Sequence, residues 1–344
     1  MKQEFRDELK IFTGKLRSVR SVGDFFELIP SSSLVQISFW LLAALVVSPL
    51  YILVRSAFLK YHDDFYLNSN QFTLGEYWSQ YINIIGYSCL FLTFLIFINV
   101  MVKRKSKGWF METLRRHPVP LFLFLMLVWS IFSYAFSSDR NLALHGSSYR
   151  HEGLLTYFAY AGIFCCGYIV LDKKIRVCLM KIFVLTATVL SMLMLINQPA
   201  LNHLFSLEYG SAVFQNINHF GYYLCLAVML AAALVLREPR FNKSVFFWTF
   251  TFIVLIYALI VNNSFGPYIA VVMGFIFLLV LTLLYARKSW LHAVMLIFIL
   301  FALSFWFNMK TNYLTREAAT LSEDIVNIVQ NNEKAPQAGS YRWI

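Results

Sequence analysis

Arginine and amide side chains that could hold an anion are concentrated in three short segments of this chain. The first segment runs from residue 139 to residue 153, the second from 215 to 219, and the third from 262 to 266. Arginine presents a planar fork that matches phosphate oxygens, and amides add neutral hydrogen-bond donors. The residue types indicate recognition of a phosphate-bearing head group, and with one arginine from the tail the candidate binding residues are Arg150, Glu152, Asn216, Asn218, Ser264 and Arg342.

Each segment also has an ordinary structural explanation, which the sequence leaves open. Arg150 and Glu152 are typical of a solvated pair at a helix start. Asn216 and Asn218 suit the cap of a helix, because asparagine is among the best N-cap residues. Residues 263–267 would serve as a turn followed by proline at a helix start. The shared location of the segments favours binding, since helix starts also attract anions.

The three segments lie between long apolar runs, which must position them. Nine runs are found near residues 34–54, 82–102, 119–136, 153–171, 178–197, 218–236, 245–262, 267–285 and 289–308. Each has about 18–21 residues, the length that a helix needs to cross a hydrocarbon core of about 30 Å. Strands of a membrane barrel would alternate apolar and polar residues, and these runs do not. The sequence therefore predicts an all-α, polytopic bundle of nine membrane-spanning helices.

The placement of lysine and arginine predicts how the bundle is oriented. With the N-terminus in the cytoplasm, the inside segments are 1–33, 103–118, 172–181, 237–244 and 286–288, and they carry 21 of the 29 basic residues. This is the positive-inside pattern, and it puts all three polar segments and the C-terminal tail outside. The net charge of +11 is thus a topology signal. Binding to nucleic acid is not expected, because the basic residues form no single face.

The predicted interior of the bundle is almost free of ionisable groups. The middle turns of the nine runs contain no Asp, Glu, Lys, Arg or His, whereas proton-coupled transporters usually carry such residues inside the membrane. The five cysteines lie in or beside apolar runs without a C-x-x-C pair, which favours packing roles. A transporter or flippase for a lipid-linked or anionic solute and a non-catalytic scaffold remain alternatives.

The polar segments resemble the O-antigen ligase and polysaccharide polymerase family of bacterial envelope enzymes. Gly146-x-x-x-Arg150-x-Glu152-Gly153-Leu154, with Tyr157 and Tyr160, is similar to the outer-loop signature of that family. Residues 214–220 resemble its G-N-x-N segment, with Gln215 in place of Gly. Residues 263–266 stand where members often have Ser-Arg-Gly, with Phe265 in place of Arg, and residues 339–344 resemble a G-S-x-R-x-x-I-W stretch. The resemblance covers roughly residues 120–344.

The resemblance implies transfer or polymerisation of a glycan from an undecaprenyl-diphosphate-linked donor to a lipid or glycan acceptor, at the outer face of the bacterial cytoplasmic membrane. It implies no cofactor and no catalytic metal, and membrane lipids as surroundings. Arg150 and Arg342 match the arginines that hold the diphosphate, which is the leaving group. The family's catalytic histidine is expected beyond Ile344, and His62, His145, His151, His203 and His219 do not match it. We therefore expect the 344 residues to be an N-terminal part that is inactive alone.

Three regions are predicted on this basis: a basic cytoplasmic segment (1–33), the bundle (34–308), and the start of an outer loop (309–344). Phe5, Leu9, Phe12 and Leu16 fit one face of a short interfacial helix, although a disordered basic tail remains an alternative. Residues 315–330 have the periodicity of an amphipathic helix. Small residues are plausible contact points between helices, namely Ala43, Ala44, Gly162, Gly167 and Ala231–Ala233.

Overall fold

The computed structural model describes residues 19, 21–60, 70–104, 119–147, 151–169, 172–196, 212–214, 216–238 and 240–329. Within this part the chain forms helices and no β-strand. One 3-10 helix, Arg287–Ser289, directly precedes the helix Trp290–Thr311. The helices are α1 (Val22–Leu28), α2 (Ser31–Lys60), α3 (Asn70–Arg104), α4 (Val119–Ala135), α5 (Arg140–His145), α6 (Leu154–Ile169), α7 (Lys173–Ile196), α8 (Ile217–Leu236), α9 (Lys243–Val261), α10 (Phe265–Tyr285), α11 (Trp290–Thr311) and α12 (Tyr313–Val329).

Seven of these helices are long and apolar enough to cross a membrane, namely α2, α3, α7, α8, α9, α10 and α11. The predicted all-α, multi-pass membrane protein is therefore confirmed. The third and fourth apolar runs form the shorter helices α4 and α6, with 17 and 16 residues. Helices of this length reach about 25 Å, slightly less than a hydrocarbon core of about 30 Å. The count of nine spans and the side that faces the cytoplasm remain predictions.

The chain divides into two compact units, one from Met1–Ser48 and Phe65–Leu179 and one from Pro49–Asp64 and Met180–Ile344. In the first unit, α3 packs most closely on α6, and glycines make this approach possible. A Cβ added to Gly86 would lie 2.5 Å from the Ala159 Cβ, and one added to Gly162 would lie 2.7 Å from the Leu90 nitrogen. Later residues of α3 thus meet later residues of α6, so the two helices run parallel, as the predicted topology requires.

A buried asparagine ties the end of α1 to the end of α3 within the first unit. Asn99 is 1% exposed, and its Nδ2 donates to the carbonyls of Phe26 and Ile29 at 2.6 and 3.1 Å. The Lys103 ammonium also donates to the Ile29 carbonyl at 2.8 Å. These contacts satisfy carbonyls at the end of α1, which lack partners inside their own helix. They also place residues 29–31 and 99–103 at the same end, as the positive-inside pattern predicted.

Helix α8 lies at the centre of the second unit, where it packs against α9, α10 and α11. Its buried face carries fully buried side chains, including the predicted contact residues Ala231 and Ala232 with Phe220, Leu224, Ala227 and Val228. At one end of the unit, Ser289 Oγ donates to the Glu238 carbonyl at 3.3 Å. At the other end, Asn262 Nδ2 donates to the Ile217 carbonyl at 2.8 Å. Residues 238 and 289 thus share one end of the unit, and residues 217 and 262 share the other.

The predicted amphipathic helix after the last apolar run is also present, as α12. Asn312 adopts a left-handed backbone conformation with φ of 52° and separates α12 from α11. Asn308 and Thr315 then hold the corner through two hydrogen bonds of 2.8 and 3.1 Å. The corner fixes where the first turn of α12 begins, close to the end of the α11 span. The N-terminal residues 5–16 lie outside the described part of the chain.

Candidate functional site

The N-terminus of α8 is organised by an asparagine cap. Asn216 has an extended backbone, and its side-chain oxygen accepts the N–H of Asn218 at 2.8 Å. The structural explanation offered for Asn216 is therefore correct. A cap of this kind satisfies only part of the first turn, and the helix dipole leaves positive potential at this end. The start of α8 remains favourable for an anion.

A hydrogen bond joins Asn218 to the turn between α9 and α10. Ser264 Oγ donates to the Asn218 Oδ1 at 2.6 Å, and Ser264 is 3% exposed. Because the Asn218 oxygen accepts this bond, its Nδ2 is the side-chain atom that can donate to a ligand. Ser264 stands at the start of α10 without capping it through its side chain. The structure therefore brings three predicted site residues together, Asn216, Asn218 and Ser264.

A glycine and a second asparagine make this close approach possible. Asn262 Nδ2 donates to the Ile217 carbonyl at 2.8 Å, which fixes the turn against the first turn of α8. Gly221 faces the turn: an added Cβ would lie 2.8 Å from both Asn262 Oδ1 and Pro267 Cγ. Any larger residue at position 221 would push the α9–α10 turn away from α8. We call residues 216–221 together with 262–267 the polar turn site.

Tyr313 connects the first turn of α12 to the polar turn site. Its hydroxyl donates to the Asn263 carbonyl at 2.6 Å, and Asn263 has a left-handed φ of 57°, which asparagine tolerates better than most residues. Burial raises the pKa of the Tyr313 hydroxyl to about 12, with the Glu317 carboxylate adding to the rise and Arg316 opposing it. Tyr313 therefore stays protonated at neutral pH and remains a donor.

Aromatic rings line the side of the α8 start. The Phe214 ring lies 5.5 Å from Phe220 and 5.2 Å from Tyr223, and Phe183 of α7 lies 4.9 Å from Tyr223. The Tyr223 hydroxyl is buried and makes no hydrogen bond to any residue that the structure describes. Apolar rings beside a few fixed polar groups are the usual composition of a ligand site.

The first unit contains the other predicted segment, as a compact loop between α5 and α6. Gly146 has φ of 83°, and an added Cβ would collide with the Glu152 backbone nitrogen. His151 also adopts a left-handed conformation, with φ of 53°, and its carbonyl accepts the Thr156 hydroxyl at 2.8 Å. Tyr160 Oη donates to Glu152 Oε1 at 3.4 Å. The loop fixes the backbone on the C-terminal side of Arg150.

Two of the predicted site residues, Arg150 and Arg342, lie outside the described part of the chain, and their role stays a prediction. Gln215 lies outside it as well. Glu152 belongs to the first unit, whereas Asn216, Asn218 and Ser264 belong to the second. Among the described residues, no group of three or more His, Cys, Asp or Glu could hold a metal ion.

Sequence reasoning did not single out Gly221 or Tyr313. Gly221 had a weak signal, since it follows the Asn216 cap by five residues and faces the same side of α8 as Asn218. Tyr313 had none, because its partner is a backbone carbonyl that any residue could supply. No protein-family model, no curated protein and no solved structure matches this chain.

Proposed function

We propose that this chain transfers or polymerises a glycan from an undecaprenyl-diphosphate-linked donor at the outer face of the bacterial cytoplasmic membrane, or forms part of a protein that does. In the reaction, an acceptor hydroxyl attacks the anomeric carbon, the bond to the diphosphate oxygen breaks, and undecaprenyl diphosphate leaves. The polar turn site would hold the diphosphate, and the family resemblance alone gives Arg150 and Arg342 a diphosphate-binding role. The hydroxyl proton would pass to a base, which the family resemblance expects to be a histidine.

The proposal rests on one observation: two segments that each resemble a motif of the family meet at the start of α8. Residues 214–220 and 263–266 are far apart in sequence, yet Ser264 and Asn218 are hydrogen-bonded at 2.6 Å. The amide of Asn218 and the N-terminus of α8 both suit a phosphate group. A lipid-linked donor needs such groups at one end of a bundle, where its head group meets the membrane surface while its tail stays in lipid.

Binding of undecaprenyl diphosphate tests the proposal without knowledge of the acceptor. Protein in lipid nanodiscs would be titrated with undecaprenyl diphosphate and with uncharged undecaprenol, and the bound lipid counted by native mass spectrometry. The diphosphate should bind at least tenfold more tightly. Asn218→Asp should abolish this preference, because a carboxylate about 4 Å from a phosphate costs about 4 kcal/mol at an effective dielectric constant of 20. Equal binding of the two polyprenyl lipids by the unaltered protein would refute the proposal.

Asn242→Asp is the matched control for this experiment. Asn242 caps α9 at the opposite end of the second unit, where its oxygen accepts the Val245 N–H at 2.9 Å. Aspartate caps a helix as well as asparagine does, so this variant adds the same charge away from the polar turn site, although it also loses the bond from Asn242 Nδ2 to the Glu238 carboxylate at 3.1 Å. It should keep the preference for the diphosphate. Equal loss in both variants would mean that charge anywhere on the unit weakens binding, and Asn218 would have no special role.

A further inference from the structure

A buried histidine at the start of α11 has no hydrogen-bond partner among the residues that the structure describes. His292 is 2% exposed, and neither Nδ1 nor Nε2 makes a hydrogen bond within the described chain. Its ring lies against Phe241, with 4.3 Å between the ring centroids. A neutral imidazole carries one donor and one acceptor nitrogen, and buried polar groups are nearly always paired. The surroundings of the chain are therefore expected to supply a partner.

His292 lies near the start of the apolar span that contains α11, which runs from Arg287 to Thr311, so we expect its ring near the membrane interface. The charged residues Arg287 and Lys288 precede α11 and mark the end of the span. His292 follows Lys288 by four residues, which is a rise of about 6 Å along a helix. Lipid phosphates occupy this zone between the charged loop and the hydrocarbon core. A phosphate group is thus available at the depth of the ring.

The loop between α8 and α9 brings further positive charge to the same place. Ser289 Oγ donates to the Glu238 carbonyl at 3.3 Å, and the contact between Phe241 and His292 joins the loop to the first turn of α11. We call residues 237–243 together with 287–292 the basic junction. Its one acidic residue is Glu238, and its five basic residues are Arg237, Arg240, Lys243, Arg287 and Lys288.

Other polar contacts at the basic junction leave most of its positive charge uncompensated. The Glu238 carboxylate accepts the Asn242 Nδ2 at 3.1 Å, and Arg287 Nε donates to the Leu283 carbonyl at 3.1 Å. Ser289 makes no capping hydrogen bond to the first turn of α11. Basic loops alone would only reflect membrane topology. The unpartnered imidazole inside the junction is the independent observation that points to a ligand.

We propose that the basic junction binds a phosphate group, and that this phosphate belongs to the head group of an anionic phospholipid. The His292 imidazole donates one hydrogen bond to a phosphate oxygen, and the basic side chains supply the compensating charge. Basic pockets between membrane helices bind lipid phosphates through this combination. Phe241 covers the ring but is itself 52% exposed, so it can move aside without opening a cavity in the core.

Thermal unfolding in nanodiscs of different lipid composition tests this proposal. Phosphatidylglycerol mixed into phosphatidylcholine should raise the unfolding midpoint of the protein above its value in phosphatidylcholine alone. His292→Leu should lose at least half of this rise, and His292→Gln, which keeps a donor, should restore most of it. Leu296→Ala is the control: Leu296 is fully buried one turn further along α11 and carries no polar atom. It should keep the full rise.

The source of the phosphate is distinguished by adding inorganic phosphate to the protein in neutral detergent. A lipid site predicts little stabilisation by millimolar phosphate, whereas a site for free phosphate predicts the full rise, lost again in His292→Leu. Two results would overturn the proposal. One is a midpoint that phosphatidylglycerol leaves unchanged. The other is an equal rise for His292→Leu and the unaltered protein, which would mean that the imidazole takes no part in binding.

Discussion

Replacing Gly221 with alanine should disturb the polar turn site while leaving the rest of α8 intact. The new Cβ would stand 2.8 Å from Asn262 Oδ1 and Pro267 Cγ and 3.1 Å from Ser264 Cβ. Ordinary contacts between such atoms begin about half an ångström further apart. Pro267 Cγ belongs to a ring and Ser264 Cβ is bonded to the backbone, so neither atom is the tip of a flexible side chain. The α9–α10 turn must therefore move away from α8.

The expected cost can be worked out from three contributions. Overpacking of a tight contact costs about 1–3 kcal/mol. The displaced turn also weakens the hydrogen bond between Ser264 and Asn218, which is worth about 1 kcal/mol. Alanine is favoured over glycine inside a helix by about 1 kcal/mol, which offsets part of the loss. The net destabilisation is about 1–3 kcal/mol, which for a chain of 344 residues is equivalent to a midpoint lowered by roughly 1–4 °C.

Gly167→Ala is the control that isolates the contact at Gly221. Gly167 is also a helical glycine, and an added Cβ there would meet no atom within 4 Å. It should therefore gain helix propensity and leave the midpoint unchanged or slightly raised. Thermal unfolding followed by tryptophan fluorescence in nanodiscs compares the two variants. The packing argument would be wrong if Gly221→Ala unfolded at the midpoint of the unaltered protein, or if both variants lost the same stability.

Three further predictions concern other parts of the chain. Asn99→Leu should lower the thermal midpoint by the equivalent of about 2–4 kcal/mol, because the carbonyl of Phe26 loses its donor and that of Ile29 loses one of its two. Ser88→Ala, which removes only a bond to the carbonyl of Ile84 in its own helix, should change little. Folding raises the pKa of Tyr313 from 10.0 to about 12. Its contribution to stability is therefore complete below pH 10 and is lost as the pH rises through 12. The free energies of unfolding of the unaltered protein and of Tyr313→Phe, measured by chemical unfolding, should differ at pH 8 and converge above pH 12. Arg150→Ala should abolish glycan transfer, and transfer at the unaltered rate would contradict the role that the family resemblance gives to Arg150.

Helix positions and loop pairing followed from the sequence because they depend on large, local contributions. Each apolar run is long enough to place about 20 residues in the hydrocarbon core. Each basic cluster disfavours transfer of its loop across the membrane. The bonds from Asn99 to Ile29 and from Ser289 to Glu238 therefore lie where charge placement predicted paired loops. Helix ends were less predictable. Helix α3 starts at Asn70 rather than near residue 82, because hydropathy marks the apolar part of a helix and not its more polar first turns.

Helix packing was only partly predictable, because lipid provides no apolar pattern that marks a contact face. Gly162 was predicted as a contact point and meets α3 closely, but Gly167, predicted on the same grounds, has no neighbour within 4 Å. Gly86, which matters as much as Gly162, was not singled out. Small residues permit a close approach, and whether it occurs depends on the shape of the partner helix.

The candidate site shows the same division between residue type and geometry. Asn216, Asn218 and Ser264 were selected because they are polar residues at the ends of apolar runs, and the structure joins them. The choice of Asn218 as the acceptor for Ser264, and of Asn216 as the cap, depends on distances below 3 Å that residue types do not encode. Tyr313 was missed because its hydroxyl bonds to a backbone carbonyl.

Photoaffinity labelling with a diazirine-bearing polyprenyl diphosphate tests most directly whether the polar turn site binds the diphosphate of a lipid-linked donor. The protein would be illuminated in nanodiscs, and the labelled peptides mapped by mass spectrometry with and without undecaprenyl diphosphate as competitor. We expect labels within residues 214–223 and 262–268, suppressed by undecaprenyl diphosphate and not by undecaprenol. Labels confined to residues 237–243 and 286–292, at the opposite end of the second unit, would contradict this assignment.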